Sequence, residues 1–147
     1  MVLSVSEGGF LITKVHHLSG RIFSKKLNDY GIEVSPGQGR ILFALWQDDC
    51  ISITELKKRT QLGKSTLTDM LDRMDAEGLV ERKASERDKR RTLVSLTEKT
   101  KRLHQKYLAV SREMTDLFYR GFSKDEIEEF EGYLRRLLDN LVEFQKL

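Results

Sequence analysis

The sequence predicts a mainly α-helical fold with one small β-hairpin. Apolar residues recur every three or four positions over most of the 147 residues, which is typical of amphipathic helices. A single proline and ten glycines agree with long helices. Residues 79–80 and 92–96 have the aliphatic and β-branched composition of short strands, and a charged loop separates them.

Charge is distributed unevenly along the chain. The net charge is +3, and charged residues make up 33% of the sequence. Residues 81–102 contain nine basic and four acidic side chains, whereas residues 123–147 contain seven acidic and four basic ones. One region therefore attracts phosphate and another repels it, which would orient the chain on a polyanion. The hydrophobic fraction of 39% is sufficient for a packed core, so disorder is not expected.

Two helices are expected in the first third of the chain. The first covers residues 10–30 and would end at Gly31. The second begins at Ser35, whose side chain can cap the helix, with Pro36 in the first turn and Gln38 reaching back. It is expected to run to Trp46.

A pair of short helices follows. Residues 52–55 form a capping box for a helix that ends near Thr60, and residues 62–63 make the turn into a helix over residues 64–77. These are the dimensions of a helix-turn-helix, whose second helix enters the major groove of DNA. If the apolar stripe faces the core, the candidate DNA-binding residues on the outward face are Lys64, Ser65, Thr66, Thr68, Asp69 and Arg73. An ordinary amphipathic helix explains the pattern equally well, because two-helix turns are common.

Two aspartates on this outward face, Asp69 and Asp72, are unfavourable near phosphate unless they are paired. Asp69 is expected either to accept a hydrogen bond from a cytosine amino group or to pair with Arg73, four residues later.

The charged hairpin over residues 81–97 favours DNA contact over a solvated charge run, because it directly follows the helix-turn-helix. Its loop concentrates positive charge next to the second helix, where it can enter the adjacent minor groove. The candidate DNA-binding residues of this loop are Arg87, Asp88, Lys89, Arg90 and Arg91.

The segment from Asp88 to Thr97 resembles the wing signature of the MarR-type (multiple antibiotic resistance regulator) repressors. That signature is Asp-x-Arg, three variable positions, an aliphatic residue, one variable position and Leu-Thr. Residues 64–68, 72–74 and 78–80 with Arg82 are similar to the family's recognition helix and its exit into the wing. The resemblance implies a winged helix-turn-helix with flanking dimerisation helices, in which Arg90 reaches DNA and Asp88 holds the charged network of the wing. Asp69 departs from the family's tendency towards basic or polar residues.

The last two helices carry heptad-like apolar stripes, broken at Gly121 and restarted by a capping box at Ser123. An intramolecular helical hairpin would explain them, but a winged domain of this size could not cover all the apolar surface. A homodimer is therefore expected, as the family resemblance also implies. The domain prediction is residues 1–34 and 98–147 for dimerisation and residues 35–97 for DNA binding. The candidate interface residues are Leu11, Val15, Leu18, Met114, Leu117, Phe130, Leu134, Leu137, Leu141 and Phe144.

These features together predict a DNA-binding transcriptional repressor that binds a pseudo-palindromic operator as a homodimer. The alternative from another class is a winged-helix adaptor that binds proteins instead of an operator. An enzyme is not expected, since there is no phosphate-binding glycine loop, nucleophile–base pairing or metal-ligand spacing.

A small aromatic or phenolic effector is implied by the family resemblance alone. His16, His17, Arg21 and Trp46 are weak candidates for its pocket, and an ordinary surface histidine pair is the more economical interpretation. The single Cys50 excludes an intrachain disulfide, and its acidic neighbours disfavour a reactive thiolate. No cofactor and no metal are predicted. The lack of a membrane-length apolar run, and of a basic residue before Lys14, leads us to expect a cytoplasmic protein.

Overall fold

The computed structural model describes residues 6–146, which form six helices and three strands. In chain order these are α1 (Gly8–Asp29), α2 (Pro36–Gln47), β1 (Ile51–Ser52), α3 (Ile53–Thr60), α4 (Lys64–Ala76), β2 (Val80–Ala84), β3 (Thr92–Leu96), α5 (Glu98–Phe118) and α6 (Lys124–Gln145). The mainly helical fold with a small sheet is confirmed. No helix in the described part of the chain is long and apolar enough to cross a membrane.

Serine side chains start three of the helices. Ser35 and Ser123 form complete capping boxes at α2 and α6, as expected. At α3 the box is only half formed. Ser52 accepts a hydrogen bond from the Glu55 amide at 3.1 Å, but the Glu55 carboxylate accepts from Nε of Arg59 at 3.0 Å.

The sheet contains one strand that the sequence analysis missed. The strand order is β1-β3-β2, and both pairs are antiparallel. β2 pairs with β3 from Val80 opposite Leu96 to Ala84 opposite Thr92, so the first strand of the hairpin is longer than expected. β1 has only two residues, which is too short to show a period of two in the sequence.

The chain divides into two compact units, one ending at Ser111 and the other beginning at Arg112, so α5 contributes to both. The first unit contains the sheet, the helix-turn-helix and a core of aliphatic side chains with Tyr107 of α5. The second contains the end of α5 and α6, with ring contacts among Tyr119, Phe122 and Phe130. The expected division into a DNA-binding segment, residues 35–97, and two dimerisation segments, residues 1–34 and 98–147, remains a prediction. Residues 1–5 and 147 of its outer segments lie outside the described residues.

Candidate nucleic-acid interface

Helix α4 packs against the core with its apolar side and exposes its polar side to solvent. Leu67, Leu71 and Met74 are fully buried, and Met70 packs against the same core. The six candidate residues of this helix, Lys64, Ser65, Thr66, Thr68, Asp69 and Arg73, are all exposed. The predicted orientation of α4 is therefore confirmed. The contact of its outer face with DNA remains a prediction.

The turn before α4 leaves the first amides of the helix without a side-chain cap. Gln61 ends α3 in the left-handed conformation with a φ of 57°, and Gly63 occupies the N-cap position of α4. A helix start with uncapped N–H groups favours an anion, because these donors and the helix dipole both point at it.

Arg82 of β2 joins the hairpin to α4. Its Nη1 lies 2.6 Å from Oδ1 of Asp72, and its Nε lies 3.1 Å from Oδ2 of Asp75. These hydrogen bonds, first to Asp72 and then to Asp75, raise the pKa of the Arg82 guanidinium, so its charge is fixed. From the sequence, no role was expected for Arg82 beyond the family resemblance. The period-two alternation of β2 could have found it, because that alternation places Arg82 on the same face as the buried Val80.

Asp69 has a different environment from Asp72. It is exposed, and the structure of residues 6–146 contains no ion pair between Asp69 and Arg73 or any other cation. Of the two outcomes expected for Asp69, pairing along the helix is therefore not found.

The loop between β2 and β3 is organised by Asp88. The Ser85 amide donates to the Arg91 carbonyl and the Arg91 amide to the Asp88 carbonyl, both at 2.9 Å. Oδ1 of Asp88 accepts from the amide and from Nε of Arg90, each at 3.1 Å. Nε of Arg91 lies 3.8 Å from the other carboxylate oxygen. The hydrogen bonds from Arg90 lower the pKa of the Asp88 carboxyl.

The basic side chains of this loop project into solvent. Arg90 is 91% exposed and Arg91 68% exposed, while the Asp88 side chain that they share is only 33% exposed. Arg87 and Lys89 are exposed as well. The loop therefore presents four cations against two carboxylates, exposed Glu86 and partly covered Asp88, which gives a local excess of positive charge.

Three of the four candidate pocket residues line one shallow depression in the first unit. His16, His17 and Arg21 of α1 face Arg40 of α2 across a cavity of about 450 Å³. Trp46 does not line this depression, and its place in an effector pocket remains a prediction. Its indole stacks on His104 with ring centroids 4.8 Å apart, and Nε1 donates to the Thr100 carbonyl at 3.1 Å.

Nine of the ten candidate dimer residues are at least one-third exposed, and the exception is Met114. The exposed fractions run from 36% at Leu117 to 75% at Phe144, whereas Met114 is 7% exposed. Met114 is thus already covered within the chain, and the dimer contacts of all ten residues remain a prediction.

Cys50 is a free, exposed cysteine in the loop between α2 and β1. It adopts the left-handed conformation with a φ of 57°. The Asp49 carboxylate accepts from the Cys50 amide at 2.8 Å and from the Leu96 amide at 2.9 Å, so Asp49 ties this loop to the end of β3.

Comparison with known proteins identifies the family. The family model described as MarR family matches residues 34–92. The organic hydroperoxide resistance transcriptional regulator of Bacillus subtilis is 35% identical over 100 residues, covering 68% of this chain and 67% of that protein. The transcriptional repressor YetL of the same organism is 30% identical over 130 residues, covering 83% of this chain and 78% of that protein. The chain belongs to the MarR family.

The MarR assignment extends to the three-dimensional structure. A crystal structure of a mutant MarR from Escherichia coli complexed with operator DNA superposes with a TM-score of 0.79 at 28% identity. The match covers 88% of this chain and 92% of that one. The chain is therefore a MarR-family transcriptional regulator and not an enzyme, as the wing motif predicted.

Proposed function

We propose that this MarR-family chain is a repressor that binds a pseudo-palindromic operator as a homodimer. Helix α4 enters the major groove, and the loop between β2 and β3 enters the neighbouring minor groove. The observation that carries this proposal is the bridge from Arg82 to Asp72 and Asp75, because it fixes the basic hairpin against the helix that would read the bases. One relative, YetL, is named as a repressor, and a similar structure contains operator DNA.

The outer face of α4 suits the major groove. Its exposed side chains near the start of the helix include Lys64, Ser65 and Thr66, which can donate to phosphates and base edges. The uncapped amides after Gly63 add a site for a phosphate oxygen.

The hairpin loop suits the minor groove. Arg90 is almost fully exposed at the tip, and Asp88 holds its guanidinium and its amide together. An arginine on a narrow, protruding loop is favoured in the minor groove, where A·T-rich sequences have enhanced negative potential. Arg87, Lys89 and Arg91 would contribute general attraction to phosphates.

Exposed apolar surface on both terminal helices supports the homodimer. Leu11, Val15 and Leu18 of α1 are each at least 50% exposed, and Leu141 and Phe144 of α6 are 59% and 75% exposed. Large apolar side chains that are exposed at helical spacing form the kind of surface that marks an interaction site. Two-fold symmetry would place two copies of α4 in successive major grooves, roughly 34 Å apart.

The depression lined by His16, His17, Arg21 and Arg40 is the proposed effector site. Two guanidinium groups favour a small aromatic ligand that carries a carboxylate or phenolate. Such a ligand would release DNA by binding the DNA-free conformation more tightly. Aromatic acids that release DNA from the wild type but not from Arg21→Ala would support this site, and equal release from both would exclude it.

The proposal is tested on genomic DNA from upstream of the chain's own gene and of its neighbours. A pseudo-palindrome in that DNA should be retarded by the purified protein with two copies bound per site. The affinity should fall linearly with the logarithm of salt concentration. Retardation that does not depend on sequence, or no binding at moderate salt, would contradict operator recognition and favour the adaptor alternative.

A further inference from the structure

We infer that Asp69 reads a cytosine in each half-site by accepting a hydrogen bond from the cytosine N4 amino group in the major groove. The inference rests on the proposed operator binding and names one base pair that α4 recognises.

Asp69 differs from the other acidic residues of α4 because no basic side chain of the described residues pairs with it. The carboxylates of Asp72 and Asp75 are both paired with Arg82, at 2.6 and 3.1 Å. In the structure of residues 6–146, no basic side chain lies within ion-pair distance of Asp69. An unpaired carboxylate next to DNA is repelled by phosphate, so this residue weakens binding unless the DNA supplies a donor.

The position of Asp69 on the helix directs it to the base edges. It lies four residues after Ser65 and three before Asp72, so these side chains share one face. The opposite face, with Leu67 and Leu71, is fully buried. Residues of the first two turns of a recognition helix are those that contact bases.

The neighbouring side chains leave Asp69 as the strongest acceptor on this face. The Thr68 hydroxyl donates to the Lys64 carbonyl at 2.8 Å, so its hydrogen is already used within the helix. The Asp72 carboxylate is occupied by Arg82 at the side of the hairpin. An ionised carboxylate accepts more strongly than a hydroxyl.

Of the four bases, cytosine is the best partner in the major groove for a carboxylate, which accepts hydrogen bonds but donates none. Guanine presents two acceptors there, and thymine presents an acceptor and a methyl group. Adenine presents the N6 donor beside the N7 acceptor, which repels a carboxylate. Cytosine presents the N4 donor alone, so it is the base that a carboxylate binds with the least repulsion.

Two substitutions distinguish recognition of a specific base by Asp69 from a general electrostatic effect of its carboxylate. In Asp69→Asn the side chain gains a donor and can pair with N6 and N7 of adenine, so the preferred base should change from cytosine to adenine. In Asp69→Ala the preference at that position should disappear. The matched control is Asp29→Asn, which removes an exposed carboxylate from α1 in the same compact unit.

The experiment selects bound duplexes from a random pool with the wild type and each variant. It then measures affinity at one salt concentration for four duplexes that differ only at the assigned base pair. We expect the wild type and Asp29→Asn to prefer cytosine by about tenfold or more. We expect Asp69→Asn to prefer adenine and Asp69→Ala to bind all four duplexes within about twofold of one another. Circular dichroism checks that each variant is folded.

Three results would overturn the inference. If the wild type selects a sequence and both Asp69 variants select the same one, Asp69 does not read a base, although the proposed function survives. If the variants bind every duplex more tightly with an unchanged preference, Asp69 faces phosphate instead. If the wild type itself selects no sequence, the proposed operator binding fails, and this inference fails with it.

Discussion

Nη1 of Arg82 on β2 lies 2.6 Å from Oδ1 of Asp72 on α4, and the same guanidinium also reaches Asp75. This relationship connects the two elements that are proposed to bind DNA, since α4 and the basic hairpin otherwise meet through the core. It also removes one negative charge from the outer face of the helix. The position of the hairpin and the electrostatics of α4 therefore depend on the same residue.

Replacing Arg82 with Met should lower both stability and DNA affinity. Met keeps the apolar stem but loses both ion pairs, and it leaves Asp72 and Asp75 uncompensated near phosphate. We expect the free energy of unfolding to fall by about 1 kcal/mol, as for a partly exposed two-point ion pair. Urea denaturation measures this change. In a double-mutant cycle, Asp72→Asn should have a much smaller effect when Arg82 is already Met, and strict additivity would contradict the coupling.

The order of the hairpin loop should depend on pH in the acid range. The pKa of Asp88 is lowered in the folded chain, mainly by hydrogen bonds from Arg90. A carboxyl with a lowered folded pKa stabilises the fold above its ordinary value of 3.8, and this contribution is lost as the pH falls through the folded pKa. The Arg90 amide should therefore lose hydrogen-exchange protection only at a pH below that ordinary value, as the folded Asp88 carboxylate takes up a proton. Asp88→Asn should show weak protection at every pH, and a wild-type loop that stays protected in acid would contradict the role of Asp88.

Much of this architecture could be predicted from the sequence because it depends on local signals. The capping serines, the apolar stripe of α4 and the Asp88 motif each involve residues that are close together in the sequence. The strand β1 was missed because its partner β3 is distant in sequence and β1 is too short to show a period. The ion pairs of Arg82 were missed because the alternation of β2 indicates which face Arg82 occupies but not which carboxylates it meets. Apolar spacing also identified one face of α5 without indicating that Met114 is covered within the chain.

Gly39 should not tolerate a side chain. A methyl group at this buried position of α2 would overlap the Tyr107 hydroxyl and lie 3.0 Å from two ring carbons of Tyr107. Tyr107 cannot easily move, because it is 4% exposed and contacts Phe23 and Trp46. We expect Gly39→Ala to destabilise the chain by about 1–3 kcal/mol in thermal or urea unfolding.

Two further variants control the Gly39 prediction. Tyr107→Phe removes the overlapping hydroxyl, so it should recover part of the stability lost in Gly39→Ala. Gly132→Ala in α6, where nothing lies within 4 Å, should stabilise the chain by up to about 1 kcal/mol. A Gly39→Ala protein as stable as the wild type would show that α2 and α5 are not closely packed there.

The proposed dimer should be sensitive to charge on α6. Leu137 is 41% exposed on the apolar face of this helix. Leu137→Glu would bury a carboxylate in the interface, which costs several kcal/mol and should convert the dimer into monomers. Sedimentation equilibrium measures the change, with Arg135→Glu on the polar side of α6 as a control that should stay dimeric. A dimeric Leu137→Glu protein would contradict the interface.

The salt-dependent DNA affinity of Arg90→Ala directly tests whether the hairpin binds DNA. Arg90 is 91% exposed and lies outside the core, so its removal should leave the thermal unfolding midpoint within a few degrees of the wild type. We expect the operator affinity at fixed salt to fall at least tenfold. The slope of log affinity against log salt should become shallower by the amount expected for the loss of about one phosphate contact. An unchanged affinity and slope in a folded Arg90→Ala protein would contradict DNA binding through this hairpin.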